Sequence, residues 1–111
     1  MDAIKDPRVI PVLAQVLKED TDPDIRVIAI AVLGRRLQDP EAIPALAQAL
    51  KDTEGKVRLY ALRAFHTIHD PEAIPALKDL LKDADPGVQD AARKVLERMG
   101  VLESDRLKPR P

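Results

Sequence analysis

Apolar residues along this chain recur at helical spacing. Ile43, Leu46, Ala47 and Leu50 form one stripe and Ile74, Leu77, Leu80 and Leu81 another, the intervals that put side chains on one face of an α-helix. A second kind of stripe follows each: Ile25, Ala29, Val32 and Leu33; then Val57, Ala61, Ala64 and Phe65; then Val88, Ala92, Val95 and Leu96. Short polar turns separate the stripes, and no segment alternates apolar and polar residues as a half-buried strand would. The pattern predicts an all-α chain of helical hairpins.

The hairpins are copies of one another. Asp39-Pro40-Glu41-Ala42-Ile43-Pro44-Ala45-Leu46 returns as Asp70-Pro71-Glu72-Ala73-Ile74-Pro75-Ala76-Leu77, and a degenerate copy, Asp6-Pro7-Arg8-Val9-Ile10-Pro11-Val12-Leu13, precedes both. Pro7, Pro40 and Pro71 stand 33 and 31 residues apart, a period that means stacked helical repeats. Each copy runs to Leu17-Lys18, Leu50-Lys51 or Leu81-Lys82 before its turn. Asp6, Asp39 and Asp70 are expected to cap the first helices, with proline at the first helical position. The second prolines, Pro11, Pro44 and Pro75, lie one turn further in and are expected to cost a backbone bond and bend the helix. The second helices are expected to start near Asp22-Pro23, Glu54-Gly55 and Asp85-Pro86. Gly34 lies late in the first of them, and Gly100 ends the third at a place that favours a left-handed cap. The repeats span about 6–38, 39–69 and 70–100 in one domain over residues 1–100, with 101–111 as a C-terminal tail.

Composition changes this picture little but excludes much. Hydrophobic residues make up 45% of the 111 and aromatics only 2%, so the core must be aliphatic. With a net charge of −1, nothing global attracts nucleic acid or an anionic membrane. The absence of cysteine excludes disulfides, thiolate metal sites and cysteine nucleophiles. No apolar stretch is long enough for a signal peptide or a membrane span; the expected location is cytoplasmic.

The repeat lacks the Trp and Gly-x-x-Tyr of tetratricopeptide units and the Thr-Pro-Leu-His of ankyrin units. It resembles the short HEAT-like repeats of the phycobilisome-lyase type: an Asp-Pro opening, an apolar-Pro-x-Leu first helix, Leu-Lys-Asp into the turn, then Val-Arg-x-x-Ala-x-x-x-Leu. Ala45-Leu46, Lys51-Asp52, Val57-Arg58, Ala61 and Phe65 carry the match in the second repeat. Ile25-Arg26, Ala29 and Leu33-Gly34 carry it in the first, and Val88, Ala92 and Leu96 in the third. The resemblance covers residues 6–100 and implies a right-handed α-solenoid (α-α superhelix) of three HEAT-like hairpins. It also implies that the second helices line the concave surface, and that Arg26 and Arg58 are rungs pairing with turn aspartates such as Asp52 and Asp83. The third repeat departs from the pattern. Gln89 replaces the arginine, Arg93 stands where the others have Ile30 and Leu62, and Asp90 stands where they have Val27 and Leu59. Repeat 3 therefore reads as a C-terminal cap. At the other end Val9, Val12 and Val16 keep apolar surface, leaving three readings open: an excised fragment, a missing cap or a homo-dimer interface.

Chemistry has little to stand on. His66 and His69, three apart and followed by Asp70, form the one histidine pair, but Asp70 is wanted as a cap and no further histidine completes a metal set. Deoxyhypusine hydroxylase, an iron enzyme on similar repeats, depends on His-Glu dipeptides, and this chain has none. Ser104 is the sole serine, and Gly34, Gly55, Gly87 and Gly100 are too dispersed for a phosphate loop. The reading is of no catalytic residue, no metal and no cofactor.

Binding has candidates. At 100° per residue, the side of the second helices away from the core carries Val27, Ala31 and Arg35; then Leu59, Arg63 and His66, flanked by Tyr60 and Thr67; then Asp90, Lys94 and Arg98, beside Ala91. An exposed Val27–Leu59 pair with Tyr60 and a row of cations would suit a protein or peptide partner. The expected function is thus a non-catalytic protein–protein interaction scaffold. The alternatives are an anionic or nucleic-acid ligand on Arg35, Arg36, Arg63, Lys94 and Arg98, for which stacking aromatics are nearly absent, and a lyase-type chaperone, which rests on family analogy alone. No membrane partner is expected.

Overall fold

In a computed structural model, residues 8–36, 41–68 and 70–102 are described. They form six α-helices: α1 (Val9–Glu19), α2 (Pro23–Leu33), α3 (Ala42–Ala49), α4 (Gly55–Phe65), α5 (Ile74–Asp79) and α6 (Pro86–Arg98). Short 3-10 turns, Pro71–Ala73 and Leu80–Lys82, flank α5. No strand occurs among the described residues. α1 packs on α2, α3 on α4 and α5 on α6 within hairpins, while α2 packs on α4 and α4 on α6 between them. This is the all-α solenoid that the repeat predicts.

One aliphatic core runs through the stack. Leu33, Leu46, Leu62, Leu77 and Leu96 are fully buried, with Phe65 and Leu50 at 1% exposure. Ile25 departs from the expected stripe: it is exposed, and the core of α2 is formed by Ala29, Ile30 and Leu33. α2 packs on α4 as well as on α1, and Ile30, which a single-helix projection assigns to the flank, is buried.

The second prolines cost no helical hydrogen bond. α1 begins at Val9 and α3 at Ala42, so Pro11 and Pro44 lie in the first turn, where a backbone N–H would have no intrahelical acceptor. Pro75 is the second residue of α5. Asp70 takes its expected place, accepting the Glu72 N–H at 3.1 Å; the caps assigned to Asp6 and Asp39 lie outside the described residues, as do His69, Ser104 and most of the tail. Asp22 and Asp85 cap α2 and α6 through the Asp24 and Gly87 N–H groups, but Glu54 makes no side-chain cap on α4. Gly100 adopts φ +79° and lets the Val101 N–H return to the Leu96 carbonyl at 2.9 Å, the left-handed ending that glycine permits. Gly34, at φ −63°, stays right-handed.

Candidate functional site

The turns between paired helices are built alike. Asp20, Asp52 and Asp83 each accept the N–H two residues on, from Asp22, Glu54 and Asp85, all at 2.9 Å. This Asx turn fixes the carboxylate toward the repeat boundary. Arg26 then donates Nε to Asp52 Oδ2 at 2.8 Å and Nη2 to Asp52 Oδ1 at 2.9 Å, while its Nη1 reaches back to the Asp20 carbonyl at 2.6 Å. Arg58 repeats the arrangement one hairpin on, with Nη2 2.9 Å from Asp83 Oδ2 and Nη1 2.8 Å from the Asp52 carbonyl. Its Nε lies 2.7 Å from Asp83 Oδ1, close as an ion pair but poorly aligned as a hydrogen bond. Gly55 lets this crossing pack tightly, since a β-carbon there would stand 3.3 Å from an Asp85 carboxylate oxygen. The two arginines expected as rungs are therefore a ladder, with their guanidinium groups committed to protein.

The ladder perturbs its members. The bond to Asp52 raises the Arg26 pKa against burial. Burial pushes the Asp83 carboxyl up, but the Arg58 guanidinium and the Asp85 N–H more than reverse this and leave it below its ordinary value. In repeat 3, Gln89 donates Nε2 to the Asp83 carbonyl, keeping the backward half of the rung only.

The second helices hold the other candidate. Ala31, Arg35, Tyr60, Arg63, His66, Lys94 and Arg98 are exposed as expected. Val27 and Leu59 are not the open pair that the helical projection suggests: both are half-buried and packed against the core, because α2, α4 and α6 sit directly against one another. Arg36 also leaves the basic row; it is buried at 7% exposure. What the structure brings together instead is a groove between α4 and α6 of about 390 Å³, lined by Leu62, Arg63, His66, Ala91, Lys94 and Val95. Its floor is apolar and its rim is cationic. Arg63 lies over the Tyr60 ring, 4.8 Å from the centroid, a cation–π contact that holds it at the edge. Lys94 pairs with Asp90 at 3.1 Å one turn back; Lys94 and then Arg93 hold the Asp90 carboxyl below its ordinary pKa. Val95 was legible only as a core position and Leu62 only as the counterpart of Ile30 and Arg93, since nothing in a periodic stripe tells which buried residue floors a groove.

No three His, Asp or Glu side chains among the described residues are grouped to hold a metal ion, and no described helix is long and apolar enough to cross a membrane. The sequence pattern of HEAT repeats matches residues 43–108, well over half of the chain, and that of the PBS lyase HEAT-like repeat matches residues 25–52. No curated protein matches it. The periodic hairpins, the arginine–aspartate rungs and these matches agree: the chain belongs to the HEAT-repeat family.

Proposed function

We propose that this protein is a non-catalytic interaction module that takes a peptide segment of a partner protein along its second helices, in the groove between α4 and α6. One observation carries the reading: an apolar floor of Leu62, Ala91 and Val95 lies between Arg63, His66 and Lys94. An apolar side chain would be desolvated on that floor while a neighbouring carboxylate meets the rim, the pattern of a buried anchor within a polar surround. The close succession of α2, α4 and α6 supports placing this row on the inner side of the solenoid. HEAT repeats generally serve protein–protein interaction. Val27 and Leu59 act in this reading as support for the strip, and Ala31, Arg35, Tyr60 and Arg98 extend it.

The test uses a phage-displayed random peptide library selected on the immobilised chain. Selected peptides should pair an apolar residue with acidic ones. They should lose binding to Ala91→Leu, which fills the groove, and to Arg63→Glu/Lys94→Glu, which reverses its rim. Peptides whose binding ignores all of these changes would overturn the proposal. The basic rim also favours a second reading, an anionic ligand. A steep loss of binding with salt would favour phosphate contacts, and a shallow one apolar contact.

A further inference from the structure

The groove between α4 and α6 has a cation on each edge, and the two keep different company. Arg63 on α4 and Lys94 on α6 are counterparts in successive repeats. One turn before Lys94 stands Asp90, where the earlier repeats have the apolar Val27 and Leu59. The Asp90 carboxylate takes Lys94 Nζ at 3.1 Å and Arg93 Nη2 at 2.7 Å, with the acid preceding the bases as favours a helix. Arg93 also lies 3.6 Å from the Glu97 carboxylate. Among these four side chains of α6 formal charge cancels. The two cations hold the Asp90 carboxyl ionised, below its ordinary pKa. On the other edge, α4 contains no acidic residue. Arg63 has Leu59 one turn back and rests on the Tyr60 ring, and no carboxylate pairs with it among the described residues. A ring contact consumes none of the guanidinium N–H donors, whose fork matches a carboxylate.

We propose that Asp90 makes the groove one-sided: by pairing with Lys94 it cancels the cation of the α6 edge, so that the carboxylate of an acidic partner segment is read by Arg63 on α4. This deepens, and rests on, the reading of the groove as a peptide site. With its apolar anchor on Leu62, Ala91 and Val95, the segment binds in one orientation, its acidic residue toward α4. A rim with two open cations would accept the same segment either way round. Asp90 is thus a specificity-determining residue that works against the wrong orientation, placing a negative charge where a misdirected carboxylate would arrive.

The probe is a fluorescein-labelled library peptide with a single glutamate that Ala91→Leu excludes, alongside its glutamine analogue, measured by fluorescence anisotropy on the full chain. Arg63→Gln should weaken the glutamate peptide about tenfold, the scale of a lost bidentate charge-assisted contact. Asp90→Asn should tighten it about threefold by releasing Lys94, the scale of an exposed ion pair, and that gain should shrink as salt is added. In the double variant, Asp90→Asn should recover part of the loss caused by Arg63→Gln. Neither change should separate the chains on the glutamine analogue. Circular dichroism checks each fold, and Asp90→Ser, which removes the same charge, should repeat the result of Asp90→Asn. An Asp90→Asn chain that binds the glutamate peptide no more tightly, or an Arg63→Gln loss equal for both peptides, would overturn the inference while leaving the groove as the peptide site. If no selected peptide is excluded by Ala91→Leu, the groove reading falls and this inference with it.

Discussion

Arg26 and Asp52 form a two-pronged pair across the first repeat boundary, with both side chains less than a tenth exposed. A buried pair of this kind is costly to break, because removing one partner strands the other's charge. Arg26 also bonds the Asp20 carbonyl, so it ties both turns at once. Asp52→Ala should cost about 3–5 kcal/mol in urea unfolding, and Arg26→Ala should cost at least as much. A double variant markedly less destabilised than the sum of the singles would show the coupling; simple additivity would mean that the pair contributes nothing as a pair.

Acid should loosen the second boundary. The folded Asp83 carboxyl titrates below its ordinary range, so folded protein binds its proton less readily than unfolded chain does. The stability this gives is present above the unfolded value, about pH 4, and is lost as pH falls through the folded one. Asp83→Asn should therefore flatten the acid limb of the stability curve below about pH 4 while lowering stability at neutral pH. An unchanged acid limb would assign the acid sensitivity elsewhere.

Leu46 is fully buried at the middle of the stack. Leu46→Ala should cost about 2–5 kcal/mol by leaving a cavity. A loss under about 0.5 kcal/mol, the scale of a surface change, would be incompatible with the core described.

Leu59 separates support from contact. Because it packs on the core from a half-buried position, Leu59→Glu should cost more than about 1 kcal/mol through a poorly solvated carboxylate. Arg63→Glu, exposed on the same helix, should stay within about 0.5 kcal/mol. Thermal unfolding of the two side by side checks this; equal melting temperatures would put Leu59 on the open surface.

Gly100 ends α6 with a positive φ. Gly100→Ala should lower stability by about 1 kcal/mol, the cost of a β-carbon in the left-handed region. No steric neighbour complicates the reading, since nothing lies within 4 Å of the added carbon. Hydrogen exchange at Val101 and Leu102 should quicken, and unchanged protection there would count against the cap.

The sequence by itself determined what depends on neighbours along the helix. Period, capping aspartates, hairpin count and the aliphatic core follow from spacing and side-chain chemistry, and the Arg26 and Arg58 rungs follow from the resemblance of the repeat. It could not decide what depends on the angle at which hairpins stack. Val27 and Leu59 project away from the core on an isolated helix, yet α2, α4 and α6 lie so close that both are half-covered. Ile25 occupies the same register as Val57 and Val88, yet only those two are sealed; α4 packs against α2 and α6 against α4, which a stripe read on one helix does not show. The prolines show the converse. Pro11 and Pro44 read as interior from the distance to Asp-Pro, and only the starts of α1 and α3 place them where no hydrogen bond is lost. Periodicity fixes which face of a helix is apolar, and tertiary packing decides how much of that face, and of its flanks, another helix covers.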